Sequence, residues 1–184
     1  MEQAGSVRML GISGSLRRAS TNRAVIAAAG RLGGRAFTVH PFEHLALIPP
    51  FNPDIRDAEI TSAVYTLRHD IESSDAVVIS SPEYAHGVPG VLKNALDWLV
   101  ASGEFIGKPV AVINASSRAT HAWSSLVETL TTMSAEIVTE ASITLPLDGR
   151  GTDADVILGD ASLAWALGEA LERLAAAARR LARA

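Results

Sequence analysis

Val7-Arg8-Met9-Leu10-Gly11-Ile12-Ser13, Ala76-Val77-Val78-Ile79-Ser80 and Val110-Ala111-Val112-Ile113-Asn114 decide the fold, because each is a continuous apolar run rather than an alternating one. A strand with one wet face alternates apolar and polar residues. A strand covered by helices on both sides does not, so these runs predict the interior of a parallel sheet. Ala36–His40 and Glu136–Ile143 are weaker β-rich runs that supply two more strands. Between the runs, apolar residues recur at helical spacing: Ala24, Ala27, Ala28 and Leu32, then Ile60, Val64, Leu67 and Ile71, then a segment from about Gly90 to Val100, then Leu126, Leu130 and Met133. The last series, Leu163, Leu167, Leu171, Leu174 and Leu181, is the clearest, with Glu169 four residues before Arg173 and Arg179, Arg180 and Arg183 at the end where cations favour the helix dipole. Five βα units in this order predict one doubly wound α/β domain over residues 1–184, ordered from about 7 to 182. In such a domain the ligand sits at the C-terminal ends of the strands, near the point where the winding reverses.

Composition narrows the chemistry. With 184 residues, 48% apolar and 20% charged, the chain can bury a real core. The absence of cysteine excludes disulfides, thiolate metal centres, Cys-ligated iron–sulfur clusters and a thiol nucleophile. A net charge of −4 argues against a nucleic-acid surface. The apolar runs are far shorter than the roughly 18–20 residues of a membrane span, and Met1–Arg8 has neither the basic start nor the apolar stretch of a leader, so the expectation is a cytoplasmic protein without membrane partners. His40, Glu43 and His44 suggest a metal, but Pro41 breaks their helical spacing and no second cluster joins them, so none is expected.

Three loops follow strands at the predicted ligand edge. Gly11–Arg23 combines two glycines, four hydroxyls, Asn22 and the guanidinium groups of Arg17, Arg18 and Arg23 at a strand-to-helix junction. Tight turning, free N–H groups at a helix start and short hydroxyl donors suit a phosphate. No Gly-Lys-Ser/Thr follows, so this is not a P-loop, and for a single hydroxyl the plain alternative is that Ser20 or Thr21 caps the helix. Ser80–Trp98 holds two prolines and two glycines within the nine residues Pro82–Gly90, a stiff loop suited to a flat heteroaromatic ligand. Tyr84 offers it a face, and Glu83 can accept backbone N–H bonds. Lys93, Asn94, Asp97 and Trp98 read as structural, with Asn94 and Asp97 bonding the preceding loop and Trp98 in the core or an interface. In the third loop, Asn114–Trp123, Thr120 reads as a helix cap. Pro49–Asp54 is a rigid segment that forms a site rim, a subunit contact or a plain connector.

Gly-Ser-Leu-Arg-x-x-Ser-x-Asn at 14–22 and Pro-Glu-Tyr-x-x-Gly-x-Pro-Gly-x-Leu-Lys-Asn-Ala-Leu-Asp-Trp at 82–98 resemble the NADPH-dependent FMN reductase family, over roughly residues 7–180. The resemblance implies a flavodoxin-like domain with a five-stranded parallel sheet in the order 2-1-3-4-5 and helices on both faces. It implies FMN as cofactor, with Ser15, Arg17, Ser20, Thr21 and Asn22 around its phosphate, Pro82, Glu83, Tyr84 and Ala85 along its ring, and Ser116 and Ser117 near the pyrimidine side. Arg118 and His86 are the candidates to meet a substrate or NAD(P)H, His86 as an acid. Ala85 departs from the Asn that many relatives carry after the Tyr, and Ser116, Ser117 and Arg118 stand where the family often has glycines.

On this reading no side chain is a catalytic nucleophile, because the flavin carries the chemistry. The expected activity is ping-pong electron transfer from NADPH or NADH to a small-molecule acceptor such as a quinone, azo compound, free flavin or chromate, in a homodimer or homotetramer. The alternative is a flavodoxin-like FMN carrier serving protein partners, which the modest charge and the single ring-loop aromatic disfavour.

Overall fold

The computed structural model describes residues 5–56 and 59–182. Met1–Ala4, on which part of the leader reading rests, and Arg183 lie outside the described residues.

Val7–Ser13 (β1) runs between Phe37–Pro41 (β2) and Ala76–Ser80 (β3). Pro109–Ile113 (β4) and Glu136–Ile137 (β5) complete an all-parallel sheet in the order β2-β1-β3-β4-β5, as expected. The continuous apolar runs have the predicted cause, since every residue of β3 and β4 is buried. Alternate strand residues serve two separate cores. Met9, Ala76, Val78, Ala111 and Ile113 pack with Thr21–Leu32 (α1) and a long C-terminal helix. Leu10, Ile12, Val77, Ile79, Val110 and Val112 pack with Ser62–Ser73 (α2), Gly90–Asp97 (α3) and Thr120–Thr132 (α4). A short helix not read from the sequence, Ala154–Leu158 (α5), precedes α6, which spans Ala161–Leu181. Among the described residues, no helix is long and apolar enough to cross a membrane.

The fifth strand departs from its expected extent. Pairing stops after Ile137, a 3₁₀ turn occupies Thr139–Ala141, and contact with β4 resumes where the Asn114 N–H donates to the Ile143 carbonyl and the Leu145 N–H donates to the Asn114 carbonyl. Ser142 bridges the interruption, its Oγ donating to the Val138 carbonyl at 3.0 Å and accepting the Val112 N–H at 3.1 Å. β-Rich composition does not reveal such a break, because an edge strand loses little when a side chain replaces one rung of its ladder. The consequence is that the chain beyond Leu145 is directed toward the loop that follows β4.

Two glycines fix close approaches. At Gly11 an added Cβ would lie 2.7 Å from Ile26 Cγ2 on α1, and at Gly14 it would lie 2.5 Å from Ser81 Oγ. The second contact brings the β1 and β3 loops against each other at the switch point between the two strands.

Candidate functional site

The β1 loop is tied down before it offers anything to a ligand. The Gly14 N–H donates to the Ser80 carbonyl at 2.8 Å, and the buried Asn22 amide oxygen accepts the Ser80 hydroxyl at 2.9 Å, so loop and helix start are fastened to the end of β3. Ser20, not Thr21, is the α1 cap, its Oγ accepting the Arg23 N–H at 3.5 Å. Ser15 Oγ accepts the Arg17 N–H at 3.3 Å. Both serines are acceptors in these bonds, which leaves each hydroxyl proton to be donated. Arg17 and Arg18 are exposed, and the first turn of α1 carries no acid.

In the β3 loop, Tyr84 and Gly87 close a two-residue turn through reciprocal N–H···O=C bonds of 3.1 and 3.0 Å. Ala85 and His86 occupy its centre with φ of 50° and 60°. Positive φ at both central positions is the type I′ geometry that selects Asn-Gly, so an Asn at position 85 in relatives has a backbone reason that does not depend on any ligand. Glu83 joins this turn to α4. One carboxylate oxygen accepts the Ala122 N–H at 2.9 Å and the other contacts His86 Nδ1 at 3.1 Å. The Ala122 N–H foremost, then His86 and the His121 N–H, hold the Glu83 carboxyl below its ordinary value against the opposing effect of burial. The cap of α4 is therefore this carboxylate and not Thr120. Thr120 is the first helical residue, preceded by Ala119, which has no side-chain acceptor, and Glu83 supplies charge and acceptor from outside.

The third loop closes on a residue that reading the sequence did not select. Asp148 Oδ1 accepts the Ser116 hydroxyl at 2.6 Å and Arg118 Nη2 at 3.2 Å, while Oδ2 accepts the Ser117 N–H at 3.1 Å and its hydroxyl at 3.2 Å. These donors, the Ser116 hydroxyl first, lower the Asp148 pKa to about 2. The donors that stand in place of family glycines thus have an internal carboxylate as their partner. Asn114 shapes the same loop, its Oδ1 accepting the Ser116 N–H at 3.1 Å and its Nδ2 donating to the Ala119 carbonyl at 3.1 Å. The available signal was the Asp-Gly pair at 148–149 near the fifth strand's end, but its partner loop lies about thirty residues away.

Thr21, Asn22, Pro82, Glu83, Ser116 and Arg118, one pair from each loop, line a cavity of about 360 Å³. Tyr84, Ala85 and His86 lie exposed in the turn beyond it, and Ser117 is exposed beside Asp148. Ser15 is separated from this group and lines a neighbouring cavity of about 320 Å³ with Arg18, Arg23, Glu43 and Asp153. Asn94 does not bond the preceding loop as expected. It clamps the Pro49–Phe51 segment, donating to the Pro49 carbonyl and accepting the Phe51 N–H, both at 2.8 Å, because the exit from β2 passes α3. Trp98 is buried and donates to the same carbonyl at 2.8 Å, while Asp97 pairs with Lys93 within its own helix.

Comparison with known proteins bears on the family and the fold. The family model for NADPH-dependent FMN reductase matches residues 7–147. The chain is 37% identical over 113 residues to an NAD(P)H-dependent FMN reductase of Pseudomonas aeruginosa and 34% identical over 113 residues to a quinone reductase of Escherichia coli, in each case covering 60% of both chains. The match thus spans less than two thirds of those relatives' length. Among solved structures, the flavoenzyme NAD(P)H:(acceptor) oxidoreductase FerB of Paracoccus denitrificans is 27% identical with a TM-score of 0.80, over 95% of this chain and 98% of that one. An azoreductase of Bacillus anthracis, 17% identical with a TM-score of 0.56 over 97% of this chain and 100% of that one, shares the fold. With more than half of its length matched and its motifs assembled at the sheet's switch point, the chain belongs to the NADPH-dependent FMN reductase family.

Proposed function

We propose that this chain is an FMN-dependent NAD(P)H oxidoreductase that passes electrons to a small acceptor, a quinone foremost, with donor and acceptor using the site in succession. The carrying observation is the convergence of three strand-end loops on one cavity of about 360 Å³, of a size suited to a cofactor. At one end is a loop, Gly11–Arg23, that has three arginines and no acid. The donor set fits the cofactor. Ser15 and Ser20 have hydroxyl protons to donate, Thr21 and Asn22 stand at the start of α1, and Arg17 can swing from solvent to complete a charge-assisted phosphate contact. Pro82, Glu83, Tyr84 and Ala85 would flank the ring, and Ser116 and Ser117 its pyrimidine side.

Bound FMN supplies the redox chemistry, two electrons taken from a reduced nicotinamide and delivered to the acceptor. The protein's part is to hold and to exclude. The Ser80–Asn22 bond sets the start of α1 against the end of β3, and the Glu83–Ala122 bond sets the ring loop against the start of α4. The stiff Pro82–Pro89 segment limits the ordering cost of binding a flat group. Azo compounds, free flavin and chromate are further candidate acceptors, since such a site demands little of the acceptor's shape. Arg118 pairs with Asp148 through one guanidinium nitrogen while 85% exposed, so with Arg17 and Arg18 it is a candidate to favour NADPH over NADH. Assembly into a dimer or tetramer belongs to the same reading, and Trp98, buried inside the chain, has no part in it.

The test is a visible spectrum of the purified protein with added FMN, followed by anaerobic NADPH and, separately, NADH. Retained flavin bands that bleach on either donor are the expected result. Bound flavin that stays oxidised with both would indicate a carrier, and failure to bind FMN would overturn the reading.

A further inference from the structure

We propose that His86, anchored by Glu83, donates from Nε2 the proton that a quinone needs once it has taken up a hydride equivalent. The inference rests on the flavin-reductase reading and adds to it the source of a proton.

The geometry assigns the imidazole's two nitrogens to different tasks. Glu83 accepts the Ala122 N–H with one oxygen, and an ionised carboxylate can only accept. The 3.1 Å contact between its other oxygen and His86 Nδ1 therefore makes Nδ1 the N–H donor. Nε2 is left as the nitrogen that gains and loses a proton. Exposure is divided in the same way: the Glu83 side chain is 12% exposed and that of His86 79%. The imidazole is thus fastened through Nδ1 to a carboxylate that lines the cavity, while most of the His86 side chain is exposed.

Two further observations describe its setting. His86 is held at φ 60°, a conformation that a non-glycine residue adopts at a cost, inside a turn locked by two backbone bonds. His121 of α4 meets the His86 ring edge to face, with centroids 4.7 Å apart. Glu83 from its own loop and His121 from α4 are titratable groups in contact with His86.

The step balances. A quinone that accepts a hydride equivalent, two electrons and one proton originating in NAD(P)H, becomes a hydroquinone monoanion. Transfer of one proton from the imidazolium Nε2 to its oxygen forms the O–H bond and gives neutral hydroquinone. His86 becomes neutral and is reprotonated by water. Such positioned proton transfer is worth roughly 10²–10⁴-fold where it limits the rate.

The experiment uses the FMN-loaded protein, reduced anaerobically with dithionite so that donor specificity does not enter, and mixed by stopped flow with either a benzoquinone or ferricyanide, a one-electron acceptor that needs no proton. His86→Gln is expected to lower the ratio of quinone to ferricyanide reoxidation rates at least tenfold, with Glu83→Gln lowering it less and His121→Gln least. An unchanged ratio in His86→Gln overturns the inference and leaves the flavin reading standing, whereas a protein that binds no FMN removes both. A readout independent of activity comes from ¹⁵N NMR of the protein without cofactor at neutral pH. His86 is expected as the Nδ1–H tautomer, reverting to Nε2–H in Glu83→Gln; an Nε2–H tautomer in the wild type refutes the anchoring.

Discussion

Ala85 sits at φ 50° in a turn that prefers Asn or Gly at that position. The left-handed region costs an ordinary L-residue roughly 1–2 kcal/mol, part of which glycine gives back through its freedom in the unfolded chain. Ala85→Gly is therefore expected to stabilise the protein by about 0.5–1 kcal/mol, read from urea denaturation midpoints. Asp148 makes the opposite kind of contribution. Its pKa is lowered from 3.8 to about 2, chiefly by the Ser116 hydroxyl, so its bonds stabilise the fold in full above pH 3.8 and are lost as the pH falls toward 2. The difference in stability between pH 6 and pH 3 should be smaller in Asp148→Asn than in the wild type; equal differences would show that the carboxylate does not hold the third loop. Neither residue could be weighted from its type alone, since one owes its cost to a backbone angle and the other its value to four donors distant in sequence.

At the scale of elements, α4 begins without a capping side chain of its own and takes Glu83 instead. This ties the entry of one helix to the loop that leads to α3. Because neighbouring donors depress the Glu83 pKa, the cap persists throughout and somewhat below the usual carboxylate range and is lost as the pH falls further. The Ala122 amide resonance should shift on acidification in the wild type, and this shift should be absent in Glu83→Gln and retained in Thr120→Ala. A helix with a Thr at its first position gives no warning in the sequence that its Ala122 N–H is capped from thirty-nine residues earlier. The clamp of Asn94 on Pro49 and Phe51 is of the same kind, a local-looking residue committed to a distant segment.

For the molecule as a whole, the sheet is the reference frame and the Ser80–Asn22 bond fixes α1 to it at the site. Asn22→Ala leaves a buried hydroxyl without its acceptor and is expected to cost about 1–3 kcal/mol, measured by chemical denaturation of the protein without FMN. Leu126→Ala, deep in the core between β4 and α4, is expected to cost more, about 2–5 kcal/mol, through the cavity it opens. Added FMN should raise the melting temperature of the wild type in a concentration-dependent way, because a ligand that binds only the folded chain stabilises it by mass action. That increment should shrink in Arg17→Ala, whose exposed side chain contributes little to the fold itself.

The sequence by itself determined the sheet and its two covering layers, because burial on both faces demands unbroken apolar runs and helices that pack against them demand a repeat near four residues. It also determined the glycine- and hydroxyl-rich turn at Gly11–Arg23 and the stiff loop at Pro82–Gly90, since glycine, proline and short hydroxyls impose backbone geometry locally. Only the tertiary structure decided which donors are already committed: the third loop to Asp148, the start of α4 to Glu83, Asn94 to the Pro49 segment. Those choices turn on which side chains meet after the strands have paired, and hydrogen bonds between groups distant along the chain leave no periodicity or spacing by which to read them in advance.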